Sequence, residues 1–427
     1  MKKHSIYAGI FTAILFLSIS AIFVSAQDAN YDESKIPSYN LPDPLVALNG
    51  TPIRDSAVWK HKRRPEILEL FKTHVFGHAP DEKVAMRVEE MSSDTNALGG
   101  IAICKQIQIH LSRKGKTVTL GLLIYLPKNT ETPAPTFLAL NFGGNHTVID
   151  DPEVAITESW VRNNKDAGIS DNRSNENARG GRSSRWEIER IVKRGYALAT
   201  LYYGDIDPDY DDGFTNGVHQ LFPELTPGPD SWGSIAAWSW GLSRVMDYFE
   251  QENDIDQSRV ALLGHSRLGK TSLWGGANDE RFALVISNDS GCGGAALSRR
   301  AFGETVAIIN KSFPHWFCDN FNKYNNNEND LPVDQHMLIA LMAPRPIYIA
   351  SADEDRWADP KGEFLSAKFA SPVYELFGLK GIDVDDQPAL NTPVMNSIGY
   401  HVRPGKHDVT NYDWDRYMDF ADKHFGR

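Results

Sequence analysis

Ser266 is the residue on which chemistry could turn. It stands in "VALLGHSRLGK", Val260–Lys270, where an apolar run ends at Gly264 and a basic, helix-forming stretch follows. A serine hydroxyl becomes a nucleophile only when a base takes its proton and an acid holds that base. A sharp strand-to-helix turn exposes such a hydroxyl and aims the next N–H groups at one point. The usual G-x-S-x-G spacing is broken here, because Leu268 fills the last glycine position and Gly269 comes one place late. Taken alone, the stretch also fits a serine that merely caps the following helix.

The order of other residues supports the first reading. Hydrolases with this turn run serine, acid, histidine along the chain. His407 follows the apolar stretch "SIGYHV" and lies where the base belongs. His401 falls inside that stretch and is read as a packed histidine. Two carboxylates compete for the acid: Asp355, after "RPIYIAS", and Asp289, after "FALVIS". The loop after the next-to-last strand is the usual source, which favours Asp355, with Asp353, Glu354 and Asp359 taken as solvated loop charges. The Gly143–Gly144 pair in "LALNFGGNHT" is either a plain turn or a source of N–H groups for an oxyanion. Arg267 adjoins the serine and Lys270 follows one helical turn on, a cationic pair suited to a substrate that carries or develops negative charge. His74 and His78 stand four apart, but no third ligand and no C-x-x-C spacing accompany them, so they are given surface or loop roles and no metal or cofactor is expected.

The elements that must position these groups follow from periodicity. Thr117–Pro127, Pro135–Phe142, Tyr196–Asp207, "RVALLG", "FALVIS", "RPIYIAS" and "SIGYHV" read as strands, several of them continuous apolar runs. Between them, "PEILELFKTHVF", "RWEIERIVKRG", "WGSIAAWSWGLSRVMDYFEQ" and the stretch from Arg267 read as helices; the third places Ile235, Trp238, Leu242, Val245 and Phe249 on one face. Continuous apolar strands alternating with amphipathic helices predict an α/β fold, a mostly parallel, doubly wound sheet covered on both faces. Polar insertions at 150–184, 207–231 and 311–334 leave strand C-terminal ends, where open α/β sheets bind ligands, and are read as cleft walls.

Composition narrows the class. The 427 residues are 41% hydrophobic and 23% charged, as in an ordinary soluble protein. A formal charge of −12 argues against a nucleic-acid partner, which would select a basic face. The main basic cluster, "KHKRRP" from Lys60 to Pro65, is read as the solvated start of a helix. Lys2 and Lys3, an apolar stretch from Ile6 to Val24 and the small residues before Ala26 form an export signal at residues 1–26. The same stretch is long enough for an uncleaved anchor, but export without stable membrane insertion, to the periplasm or beyond, is the reading adopted. Residues 27–427 are then expected to form a single catalytic domain with an extended N-terminal lead-in. Of three cysteines, Cys292 and Cys318 are the candidate disulfide pair; the alternative is three buried thiols.

Several long motifs together carry a resemblance. "GHSRLGK", "SNDSGCGGAALSRRAFGET", "FPHWFCDNF", "LPVDQHM", "ADEDRWADPKGEF" and "GKHDVTNYDWD", with "LPDPLVALNGTP" and "YYGDIDPDYDDGF", resemble the bacterial glucuronoyl esterases, carbohydrate esterase family fifteen. The nucleophile motif of that family is G-x-S-R-x-G-K, which explains the displaced glycine. The resemblance implies an α/β-hydrolase fold and metal-free hydrolysis of esters between 4-O-methyl-glucuronic acid on xylan and lignin alcohols. Glucuronoxylan or lignin-carbohydrate esters would be the substrate; a related xylan-side-chain esterase, such as an acetyl esterase, and a non-catalytic polysaccharide-binding protein are the alternatives. It further implies that Ser266 attacks, His407 is base then acid, and Arg267 steadies the oxyanion. Lys270, Glu304 and Trp357 match positions that hold the uronic acid. Without the resemblance, Glu304 fits a helix-end charge and Trp357 a core aromatic. Fungal members carry glutamate at the position of Asp289, while bacterial members use either acid site or both; the shorter Asp weakens Asp289 here.

Overall fold

The structure, a computed structural model, describes residues 29–128, 133–165 and 167–427. The proposed export signal therefore lies outside the described residues. Ten strands build one sheet: β1 Ala85–Asn96, β2 Ala102–Arg113, β3 Lys116–Pro127, β4 Ala134–Asn141, β5 Ala197–Tyr202, β6 Ile255–His265, β7 Leu284–Asn288, β8 Ile347–Ala352, β9 Val394–Met395 and β10 Ile398–Arg403. Their spatial order is β1-β2-β3-β5-β4-β6-β7-β8-β10-β9. From β5 to β10 every neighbouring pair is parallel, while β1, β2 and β3 join in antiparallel register at one end and β9 at the other.

The central strands are apolar throughout because both faces are covered. Every residue of β4 is buried. Leu138 and Leu140 face one core and Phe137 and Ala139 the other. On the first face pack α1 (Arg64–Phe71), α3 (Ser234–Phe249), α4 (Arg267–Asn278), α5 (Gln335–Ala340) and α6 (Pro360–Glu375); on the second pack α2 (Ile188–Lys193) and α7 (Asn411–Phe425). Ile235, Trp238, Leu242, Val245 and Phe249 are all buried, as the period of α3 requires.

Four features differ from the sequence reading. β1 and β2 carry no continuous apolar run, since β1 is an exposed edge and β2 alternates; backbone pairing of β1 with β2 and of β2 with β3 makes them strands. The third predicted strand stops at Tyr202, and Tyr203–Ile206 turns helical, with Asp205 accepting the Gly121 N–H of β3 (3.2 Å). Of the basic residues in that cluster only Lys60, His61 and Lys62 are solvated: Arg63 is buried against the carbonyl of Pro44, and Arg64 donates to the carbonyls of Leu341 and Ala277. Cys104, Cys292 and Cys318 are free, buried thiols, so the candidate disulfide is not formed. Among the described residues no helix is long and apolar enough to cross a membrane.

Candidate active site

β6 delivers Ser266 to the C-terminal edge of the sheet, where α4 begins. Its backbone sits at φ 59°, ψ −129°, a left-handed conformation that costs a non-glycine residue about 1–3 kcal/mol. The turn is held because Ser266 N–H donates to the Asn288 carbonyl (2.9 Å), while Gly269 and Lys270 N–H donate to the Ser266 carbonyl (2.8 and 3.2 Å). A Cβ at Gly264 would lie 1.8 Å from the Leu268 carbonyl oxygen, so only glycine fits. A Cβ at Gly269 would lie 2.9 Å from Ser290 Cβ. The glycine is displaced because α4 crosses the loop after β7 at 269, whereas Leu268 is buried in the core.

His407 follows β10, and its Nδ1 lies 2.6 Å from Asp355 Oδ2, which follows β8. Its ring stands 4.4 Å, centroid to centroid, from that of His265, the residue before Ser266. Asp289 reaches the same place: polar atoms of Asp289, Asp355 and His407 lie within 4.8 Å of one another. Yet Asp289 Oδ1 accepts the Ala352 N–H (2.7 Å), and Oδ2 is 3.6 Å from Arg403 Nη2. Burial, reinforced by Glu363 and Asp355, pushes the Asp289 carboxyl well above the ordinary carboxylate range. The structure thus brings both carboxylates to His407, and Asp355 makes the hydrogen bond. His401 is packed as expected, its Nδ1 3.0 Å from the Tyr348 hydroxyl and its Nε2 2.8 Å from Asp413 Oδ1. His74 and His78 also take ordinary partners, Tyr324 and Glu69.

Arg267 points away from the sheet onto the polar insertions. Its Nη1 pairs with Asp209 Oδ2, and its guanidinium lies 4.7 Å from the Trp316 ring centre. Asp209 also accepts from His315 Nε2 and Trp316 Nε1, each at 2.8 Å, and from the Tyr203 hydroxyl at 2.9 Å. Burial opposes its ionisation, but the His315 hydrogen bond and the Arg267 charge outweigh that and hold it below the ordinary carboxylate range. The first insertion closes a cavity of about 340 Å³ with Phe142, Gly143 and Arg267. All three insertions thus converge on Arg267.

The sequence profile of the fungal glucuronyl esterases matches residues 187–378. A carbohydrate esterase from an unknown prokaryotic organism is 51% identical over 418 residues, covering 97% of this chain and 96% of its own length. The chain belongs to the glucuronoyl esterase family. Among solved structures, a promiscuous family-fifteen carbohydrate esterase from a marine bacterial metagenome shares 53% identity. The match covers 93% of this chain and 100% of the other, with TM-score 0.88. The glucuronoyl esterase of Solibacter usitatus shares 49% over 92% of this chain and 100% of its own, with TM-score 0.87. The 4-O-methyl-glucuronoyl methylesterase of Schizophyllum commune is 26% identical over 86% of this chain and 81% of its own. The protein is a carboxylic ester hydrolase with the α/β-hydrolase fold.

In this esterase Lys270 and Glu304 form a buried pair beside the Ser266 turn, Nζ to Oε2 3.9 Å. Lys270 Nζ also donates to the Ser290 carbonyl (2.5 Å). Burial pushes the lysine down and the glutamate up, and each charge offsets the penalty on the other. Glu304 N–H donates to the Trp357 carbonyl (3.0 Å). Trp357 is no core aromatic: it is 43% exposed. Asp353 and Glu354 are surface charges, but Asp359 is buried against Arg300 and caps α6, because an N-cap carboxylate satisfies the first-turn N–H of Gly362. Sequence reading singled out neither Asp209 nor Glu363. The signal for Asp209 was the acidic run after β5, too dense to be only solvated loop.

Proposed function

We propose that this esterase cleaves esters of 4-O-methyl-glucuronic acid carried on xylan, releasing the uronic acid and an alcohol such as those of lignin. The observation that supports the mechanism best is the 2.6 Å contact between His407 Nδ1 and Asp355 on the imidazole that stands beside the strained Ser266 turn. Asp355 takes the Nδ1 proton contact, which leaves Nε2 as the base. Ser266 Oγ attacks the ester carbonyl carbon while its proton passes to Nε2. The C–O bond to the alcohol then breaks, and the same proton goes to the leaving oxygen. Water, deprotonated by His407, cleaves the acyl-enzyme in the second half.

Arg267 serves the oxyanion. Asp209 and the Trp316 ring fix its guanidinium, which brings a held positive charge to the residue next to Ser266. Lys270, Glu304 and Trp357 hold the sugar, the first two by hydrogen bonds to hydroxyls and the third by its exposed indole face. The export signal at residues 1–26 places the enzyme outside the cytoplasm, periplasmic or secreted, where such polymers occur.

The test is acid release from methyl and allyl glucuronate by purified enzyme and by Ser266→Ala. Turnover lost in the variant supports the reading. Turnover of acetylated sugars with none of glucuronate esters would move it to a xylan acetyl esterase. Undiminished polysaccharide binding without any turnover would make it a binding protein.

A further inference from the structure

Residues 30–33, in the lead-in, do not run free over the surface. The Asn30 carbonyl accepts the N–H of Gly303 (2.8 Å), the residue before Glu304. The Tyr31 carbonyl accepts from the guanidinium of Arg356, the residue before Trp357. That guanidinium lies 5.5 Å from the Tyr31 ring centre and 5.4 Å from that of Phe302, and the two rings meet edge to face at 6.1 Å. Glu33 Oε1 accepts from Arg300 Nη2 (2.7 Å), and its Oε2 is 3.5 Å from Lys361 Nζ. Arg300 is itself buried and bonded to Asp359, which caps α6 just beyond Trp357.

The two loops tied by this segment are those that carry Glu304 and Trp357. Between themselves they are joined by the Glu304 N–H to Trp357 carbonyl bond and by close packing at Gly303, where a Cβ would lie 2.4 Å from the Trp357 carbonyl oxygen. The segment buries little: Tyr31 is 41% exposed and the Glu33 side chain 47%. Its contacts are therefore directional, two carbonyls and a carboxylate that satisfy donors of the neighbouring loops, so they fix geometry more than they add core. Asp32 caps the short turn at Glu33–Lys35, which keeps the strap in shape.

We propose that Asn30–Glu33 is a positioning strap for the sugar-holding side of the active site, setting Glu304 and Trp357 through Gly303, Arg356 and Arg300. This rests on the assignment of Glu304 and Trp357 to the uronate. The strap contacts none of Ser266, Asp355 and His407. Asp355, which precedes Arg356, is held separately by its N–H on the Ala352 carbonyl (3.1 Å) and its carboxylate on His407, so the strap acts on binding of the uronate and leaves the chemical step alone.

The experiment compares the full chain with Glu33→Ala, Glu33→Gln, a deletion of residues 29–33 and Trp357→Ala, each assayed on methyl glucuronate and on 4-nitrophenyl acetate, which lacks the sugar. The deletion should raise KM for the glucuronate ester roughly three- to thirtyfold, the range in which remote contacts modulate a site. Its kcat, and both constants for the acetate, should stay within about twofold. Glu33→Ala should move KM the same way by less, and Glu33→Gln, which keeps an acceptor for Arg300, should recover most of it. Equal losses on both esters would reduce the strap to a stabilising contact and overturn the proposal. Unchanged glucuronate KM in the deletion, with a raised KM in Trp357→Ala, would also overturn it while leaving the sugar assignment intact. Unchanged KM in Trp357→Ala would overturn the sugar assignment first, and the strap's role with it. Should the deletion fail to fold, the half-exposed Glu33 variants carry the same comparison.

Discussion

At the scale of single residues, the decisive question is which carboxylate serves His407. A carboxyl that keeps its proton has no charge with which to steady an imidazolium, and burial pushes Asp289 in that direction. Asp355 holds the hydrogen bond to Nδ1. Ser266→Ala and His407→Ala should each cost roughly 10³-fold or more in rate, since such groups act as a unit. Asp355→Ala should lower kcat clearly more than Asp289→Ala, and the double variant should be worse than either; steady-state kinetics that rank the singles the other way would reassign the acid. Arg267 has a second consequence. On the proposed oxyanion role, Arg267→Ala should lower kcat with little change in KM, because the charge would be needed only when the oxyanion forms. It also removes one partner of Asp209, whose side chain is fully buried, at a cost of about 1–3 kcal/mol in stability. A denaturation midpoint equal to that of the parent would show that the Arg267–Asp209 pair contributes nothing to folding.

At the scale of elements, the first turn of α6 knits the site together. Glu363 Oε1 accepts the N–H groups of Ser290 and Gly291 (2.8 and 3.0 Å), and Oε2 lies 2.6 Å from Ser351 Oγ. One side chain thus joins the loop after β7, which carries Asp289 and the Ser290 carbonyl that receives Lys270, to the end of β8. Burial, with the nearby Asp355 charge, pushes this carboxyl from its ordinary 4.5 up to about 8. Between those values the folded chain keeps a proton that the unfolded chain has lost, so this group makes stability fall as pH rises through the window and level off above it. Glu363→Gln keeps the acceptor and removes the titration. Urea melts across the window should show a flatter pH dependence for the variant than for the parent. Identical slopes would mean that Glu363 stays ionised in the fold.

At the scale of the whole molecule, the sheet and its two cores account for stability without cross-links. Cys104, Cys292 and Cys318 are 7%, 3% and 2% exposed, and burial in apolar surroundings pushes each thiol up, where it reacts slowly. Thiol titration should therefore find none reactive in the native protein and all three after denaturation, and a reductant should leave the melting temperature unchanged. A melting point that falls on reduction would mean that a disulfide forms in the oxidising compartment after all.

Much of this was legible in the chain itself. Local pattern dictated the parallel strands, because a strand buried on both faces must be apolar along its whole length, as β4 is. It also dictated α3, whose period of 3.6 marks one buried face, and the placing of Ser266, Asp355 and His407 after successive apolar runs. Other features depend on partners distant in sequence. β1 is polar and becomes a strand because β2 offers its backbone, and Asp359 looks like a loop charge until Arg300 comes to meet it. The choice between Asp355 and Asp289 was open in the sequence, since both follow strands that end at the same edge. Only the fold decides which carboxylate reaches Nδ1 and which is spent on the backbone of Ala352. Hydrophobic period is a local property and can be read along the chain. Hydrogen bonds across a site depend on distances of a few tenths of an ångström between segments that meet only when the sheet has closed.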